Sequence, residues 1–209
     1  CDTQTVTFSA PYTFTGGGFT MKAYSDQPNG VTDTKLSNDT ISVNGCIGMG
    51  GAYTINGSIP ASATNFQTFT AAVAALAGCG VTAPTVFNVA AGNYVEQVNI
   101  PLINGSSAIN TITFDGGAGN AATRILKFQT TFSPFVLRFN TTSNVYFRNL
   151  SIMTTDPNNA WNVHFFNSNN CGVSNCIIQD SLNIYGTSNT VHRVLINGST
   201  GTAATQSAI

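Results

Sequence analysis

Only 7% of the 209 residues are charged, with 7 Lys+Arg against 8 Asp+Glu and a formal net charge of -1, whereas an ordinary soluble domain carries about 25%. A phosphate backbone or an anionic membrane is held by clustered cations, but Lys22, Lys35, Arg124, Lys127, Arg138, Arg148 and Arg193 are scattered, so neither is expected as a partner. Asn, Thr, Ser and Gly between short runs of β-branched and aromatic residues describe many strands joined by many turns, and the predicted class is all-β.

The longest apolar stretch, 71–77, is far below the roughly 20 residues of a spanning helix, so no membrane span is expected. The first residue is Cys1 rather than Met, which reads as a processed chain or a piece of a longer one.

In chain order, residues 1–44 read as strands at 5–8, 11–14 and 19–24, with turns at Gly16-Gly17-Gly18 and at 26–30. So few strands with one face to bury do not normally fold alone. They are predicted to be the last strands of an incomplete immunoglobulin-like sandwich. Gly45, Gly48, Gly50 and Gly51 make 45–58 a predicted linker, and 59–209 follows as a repetitive domain. A helix is predicted over about 65–77. Thr64 and Gln67 have capping-box spacing, Phe66, Phe69, Val73 and Leu76 share a face, and Gly78 and Gly80 end it. Such a lone helix must lie on a sheet. Of the five cysteines, Cys46 and Cys79 are the candidate disulfide, clipping the linker to the end of the helix. Cys171 and Cys176 lack the second ligand pair that zinc needs.

From residue 85 the chain repeats itself. Leu137, Phe139, Asn144, Phe147, Leu150 and Ile152 are followed, all at one constant offset, by Val163, Phe165, Asn170, Val173, Cys176 and Ile178. A third copy with one deletion is read in Leu182, Ile184, Asn189, Val191, Val194 and Ile196. A short strand, a turn asparagine and another short strand recurring at a fixed interval predict a parallel β solenoid. Asn144, Asn170 and Asn189 would occupy equivalent corners, where asparagine tolerates a left-handed backbone. Cys176 would sit in an inward column between Leu150 and Val194 as a small hydrophobe. Trp161, two positions before inward Val163, is expected in the core. Arg138 and His164 would share one outward column, and Arg148, Ser174 and His192 another. An arginine beside a histidine can bind or deprotonate an acidic sugar, and Tyr146 and Tyr185 could add weak binding, although outward polar residues on a solenoid usually form its solvated face.

Tyr53-Thr-Ile-Asn-Gly, Pro60-Ala-Ser-Ala-Thr-Asn-Phe-Gln-Thr-Phe, Thr85-Val-Phe-Asn-Val-Ala-Ala-Gly-Asn-Tyr-Val-Glu-Gln-Val and Thr111-Ile-Thr-Phe-Asp-Gly-Gly resemble the start of a pectin-lyase-like right-handed parallel β-helix. Such helices occur in large secreted or surface proteins of the Bacteroidota, many exported by the type IX pathway. Asn38-Asp-Thr-Ile-Ser resembles the end of the immunoglobulin-like modules that precede them. Gly92-Asn-Tyr-Val-Glu-Gln-Val is similar to the first coil of pectinesterases, and the resemblance implies that Tyr94 and Glu96 build the entrance to the helix rather than do chemistry. The catalytic signatures of that family are not found. Asp115, Asp156 and Asp180 are widely separated, no cofactor is expected, and calcium, possible in such a fold, is not indicated.

The leading expectation is a non-catalytic structural or adhesive segment of a secreted or surface protein, partnered by the other domains of its own polypeptide and presenting a glycan-binding face. The alternatives are the opening portion of a polysaccharide lyase or esterase, with Arg138 and His164 as its candidate residues, or an exported fragment held by a secretion machine. Asp39-Thr40-Ile41 and Asp180-Ser181-Leu182 resemble Bacteroidota O-glycosylation sites, which makes Thr40 and Ser181 the expected acceptors.

Overall fold

A computed structural model of the chain describes residues 17–24, 40–129, 135–155, 161–180 and 194–197. It falls into two units, Cys1–Ile47 and Gly48–Ile209.

In the first unit β1 (Gly17–Tyr24) pairs antiparallel with β2 (Thr40–Ile47). The ring of Phe19 lies over its register partner Gly45, where a Cβ would collide with it. Thr20 donates to the Asn44 side chain at 2.8 Å. Met21, Ile41 and Val43 are exposed, and Thr40 is exposed at the start of β2. The strands expected at 5–8 and 11–14 lie outside the described residues.

The second unit begins inside the predicted linker. There β3 (Met49–Ile55) pairs in parallel with β4 (Asn65–Phe66) and with β5 (Val81–Val89). The glycines that suggested a flexible linker mark close approach instead. A Cβ on Gly48 would meet Thr82 Cγ2 at 2.6 Å, and one on Gly50 would meet Ala83 Cβ at 2.8 Å.

Between β4 and β5 runs the helix α1 (Phe69–Cys79). It starts later than the periodicity predicts. Thr68 caps it, its hydroxyl accepting from the Ala71 N–H at 3.0 Å, while Thr64 lies in a bend before β4 and gives its carbonyl to the Thr54 N–H. Phe66 therefore belongs to β4 and packs among the rings of Tyr53 and Phe87. The apolar stripe of α1 is Phe69, Ala72, Val73 and Leu76, all buried. Burying a side chain the size of Leu76 or Phe69 contributes roughly 1.5–3 kcal/mol. The helix runs through Gly78 and ends at Gly80, whose φ of 67° carries its N–H back to the Leu76 carbonyl.

The remaining strands are β6 (Gly92–Val95), β7 (Val98–Ile100), β8 (Ile112–Asp115), β9 (Arg124–Phe128), β10 (Phe135–Asn140), β11 (Val145–Arg148), β12 (Ser151–Thr154), β13 (Trp161–Phe166), β14 (Gly172–Ser174), β15 (Ile177–Asp180) and β16 (Val194–Asn197). Among the described residues of this unit the strands form three parallel sheets: β4-β3-β5-β8-β11-β14, β6-β9-β12-β15 and β7-β10-β13-β16. From β5 onward the chain visits these sheets in the same cyclic order. The fold is thus all-β with parallel pairing. Parallel strands bury their inner faces as near-continuous apolar positions, and Phe87, Phe114 and Phe147 stack ring on ring with centroids 4.8 and 4.4 Å apart. In the third sheet Phe139 and Phe165 stack at 4.6 Å.

Two successive passes repeat at the offset read from the sequence, with Leu137 beside Val163, Phe147 beside Val173 and Ile152 beside Ile178. The corners repeat as well. Thr141, Asn144 and Asn149 have φ of 57°, 59° and 58°, and their counterparts at the same offset, Asn167, Asn170 and Asn175, have φ of 47°, 51° and 51°. Adjacent corners are bonded, the Asn144 N–H donating to the Asn169 carbonyl at 3.2 Å. Of the predicted third copy, Val194 and Ile196 lie among the described residues, and these two are not in this register. Val194 pairs with Val163 and Ile196 with Phe165, which puts them in the third sheet rather than beside Cys176 and Ile178. The step from Val163 to Val194 is longer than the one from Leu137 to Val163. Leu182, Ile184, Asn189 and Val191 lie outside the described residues, so what departs from the predicted place is Val194 and Ile196. Alternating apolar residues satisfy any of the three sheets, which is why type matching misplaced them.

Candidate functional site

The residues singled out at the start of the second unit serve its architecture. Glu96 accepts from the N–H groups of Phe69 and Thr70 at 3.0 and 2.8 Å and from the Thr70 hydroxyl at 2.7 Å, placing a carboxylate on the positive end of α1. The Tyr94 hydroxyl lies 3.0 Å from the carbonyl oxygens of Ile55 and Ala90. Burial, with the nearby Glu96 charge, raises its pKa.

On the first sheet Asn88, Asp115, Arg148 and Ser174 form one lateral column. Arg148 Nε donates to Asp115 Oδ2 at 2.9 Å. The other carboxylate oxygen accepts from Asn149 Nδ2 at 2.7 Å and the Gly117 N–H at 2.8 Å. Burial opposes ionisation of Asp115, but these hydrogen bonds and the Arg148 charge outweigh it and hold the carboxyl below its usual range. Asn149 stands at a left-handed corner, with φ of 58°, directly after Arg148 at the end of β11.

On the third sheet the column is Asn99, Arg138, His164 and Leu195. This is not the solvated face expected of it. His164 is only 7% exposed. Its ring meets Trp161 at 5.2 Å and Phe166 at 5.8 Å. The guanidinium of Arg138 lies 4.6 Å from the Phe166 ring centre and 5.7 Å from that of Phe135. Arg138 Nε and His164 Nε2 are both buried without a hydrogen-bond partner. Burial and then the Arg138 charge lower the His164 pKa, so the imidazole is neutral at pH 7. Trp161 is half-buried against His164 rather than packed in the central core. Sequence reading aligned Arg138 with His164 but missed Phe135 and Phe166 as their walls; the signal was their position, two or three places from each polar member.

Tyr146 is half-buried on β11, and burial followed by Cys171 raises its pKa. His192, Asn189, Tyr185, Ser181 and Asp156 lie outside the described residues. Cys46 and Cys79 are each disulfide-bonded. Cys171 and Cys176 are free; burial pushes the Cys171 thiol up to about 11 and raises Cys176 too, which keeps both protonated and unreactive. Their S–H groups point at backbone carbonyls, Asn169 for Cys171 at 3.4 Å and Ser174 for Cys176 at 3.3 Å. Among the described residues no three His, Cys, Asp or Glu side chains gather as a metal set, and no helix is long and apolar enough to cross a membrane.

What the third-sheet column offers chemically is a fixed cation and a neutral imidazole on neighbouring strands, walled by aromatic rings. Compared with protein-family models, with curated proteins and with solved structures, the chain matches none.

Proposed function

We propose that the second unit is a right-handed parallel β-helix acting as a stiff, non-catalytic structural or adhesive segment of a large secreted or cell-surface protein, joined to other domains of its polypeptide and presenting a glycan-binding outer face. The observation that carries this reading is the lateral register, in which like side chains and left-handed corners recur at one constant offset across adjacent strands. Such repetition builds a stack in which each pass contacts its neighbours. Two carboxylates of the unit are committed to the scaffold: Asp115 to Arg148, Asn149 and Gly117, and Glu96 to α1.

One observation favours the lyase or esterase reading, Arg138 Nε and His164 Nε2 without hydrogen-bond partners on laterally paired residues. Cleaving or de-esterifying a uronic acid also needs stabilisation of developing negative charge by a metal or clustered cations, and this column has a single arginine. The test is incubation of the full chain with pectin, polygalacturonate and alginate, with and without calcium, followed by assays for new chain ends and released methanol. No product is expected. Product that disappears in Arg138→Ala or His164→Ala would overturn the structural reading and make the chain the opening portion of a polysaccharide lyase or esterase.

A further inference from the structure

Arg148 and Arg138 occupy comparable outer strand positions, and among the described residues Arg148 has a carboxylate within reach while Arg138 has none. Buried polar atoms are almost always hydrogen-bonded, because burying one without a partner costs the full desolvation of the group. Here two such atoms, Arg138 Nε and His164 Nε2, sit on laterally paired residues, about 4.8 Å apart in strand spacing. They are walled by Phe135, Phe166 and Trp161. We propose that Arg138 and His164 together form a receptor for one carboxylate group.

The charge balance selects the ligand. The column carries one positive charge, on Arg138, and a neutral imidazole that donates through Nε2–H in the matching tautomer. A carboxylate brings one negative charge and two oxygens, one for each donor. A phosphate dianion would leave a charge uncompensated among aromatic rings, which is costly. Charge-assisted hydrogen bonds to an arginine fork are short and strong, and the surrounding rings, by thinning the water, strengthen them further. This inference concerns binding alone and stands whether or not the unit is a β-helix.

The chain has 2 histidines, so the imidazole Cε1–H signals of His164 and His192 can be followed together by NMR. The full chain is titrated with sodium acetate at pH 7, with sodium chloride holding ionic strength constant. The His164 signal should shift saturably while that of His192 does not, and bound acetate should move the His164 titration midpoint upward, because the anion favours imidazolium. Arg138→Met should abolish the response with the backbone amide spectrum otherwise kept. Arg138→Lys, which keeps the charge without the fork, should weaken it by about tenfold and serves if the methionine variant does not fold. A linear drift shared by both histidines, an equal response to chloride or sulfate, or a saturable shift that survives in Arg138→Met or is undiminished in Arg138→Lys would overturn the proposal.

Discussion

Two arginines on outer strand positions of the same unit meet opposite surroundings. Arg148 has a side chain 46% exposed and donates to Asp115. Arg138 lies between Phe135 and Phe166, and its Nε donates to nothing. Strand alternation tells which way a side chain points. It does not tell whether water reaches the end of it, and that second fact decides whether a charge is a surface ornament or a buried demand for a partner.

The largest effect expected along this comparison comes from turning one column into the other. Asp115→Ala leaves Arg148 without its carboxylate, and Asn149 and the Gly117 N–H without their acceptor. Loss of these bonds should cost about 1–3 kcal/mol, read from urea denaturation. A cost below roughly 0.5 kcal/mol, within the range of ordinary surface substitutions, would mean the network is decorative. Next come the corners. Asn170→Ala should cost about 1 kcal/mol for forcing alanine into the left-handed region. Asn149→Ala should cost about 2 kcal/mol, because it also removes the amide that holds Asp115; equal losses at the two sites would separate the corner from the network.

Acid should distinguish the columns by where each fails. His164 has a folded pKa below its ordinary 6.5. Its share of stability is present above pH 6.5 and is lost as pH falls from there through the folded value, because the unfolded state takes up the proton first. Asp115 has a folded pKa below 3.8, so its share is present above pH 3.8 and is lost only on further acidification. Urea midpoints measured against pH should therefore fall in two stages, the first reduced in His164→Gln and the second in Asp115→Asn. The smallest effect is expected for Arg138→Met. With no hydrogen bond at Nε to lose and phenyl rings against which a methionine also packs, it should change stability by less than roughly 0.5 kcal/mol in either direction. A large loss would show that the guanidinium holds the two rings together.

The repeat could be read from the sequence because two independent constraints, inward apolar positions and left-handed asparagines, fall at the same offsets in Leu137–Ile152 and Val163–Ile178. Val194 and Ile196 were read with Asn189 at an interval shortened by a deletion, so the second constraint no longer fell at the same offset, and three sheets with the same inward alternation left their place ambiguous. The start of α1 was misread because Thr64, Asn65 and Phe66 fit both a capped first turn and an extended bridge. What decided it was lateral pairing of Asn65 and Phe66 with Thr54 and Ile55, a contact no local pattern records. Gly48 and Gly50 signalled small size, and whether that serves flexibility or proximity depends on what lies opposite. Of the candidate site, the pairing of Arg138 with His164 was legible from the register. Its dryness was not, since it depends on rings brought from positions whose own exposure the sequence does not state.

The lateral register holds while the chain between partners varies. Ile112 pairs with both Thr85 and Val145, yet the path to Val145 is the longer one, and the path from Val98 to its partner Leu137 is longer still. Pairing is thus indifferent to how much polypeptide each bend carries, and closing a flexible loop costs only about 0.6 kcal/mol more for each doubling of its length. The exposed tip of the bend between β7 and β8, at Ala108 and Ile109 and beyond the buried Ile103, is accordingly a place to graft foreign sequence, where a lineage or a designer can vary what the molecule displays without rewriting the strands beneath.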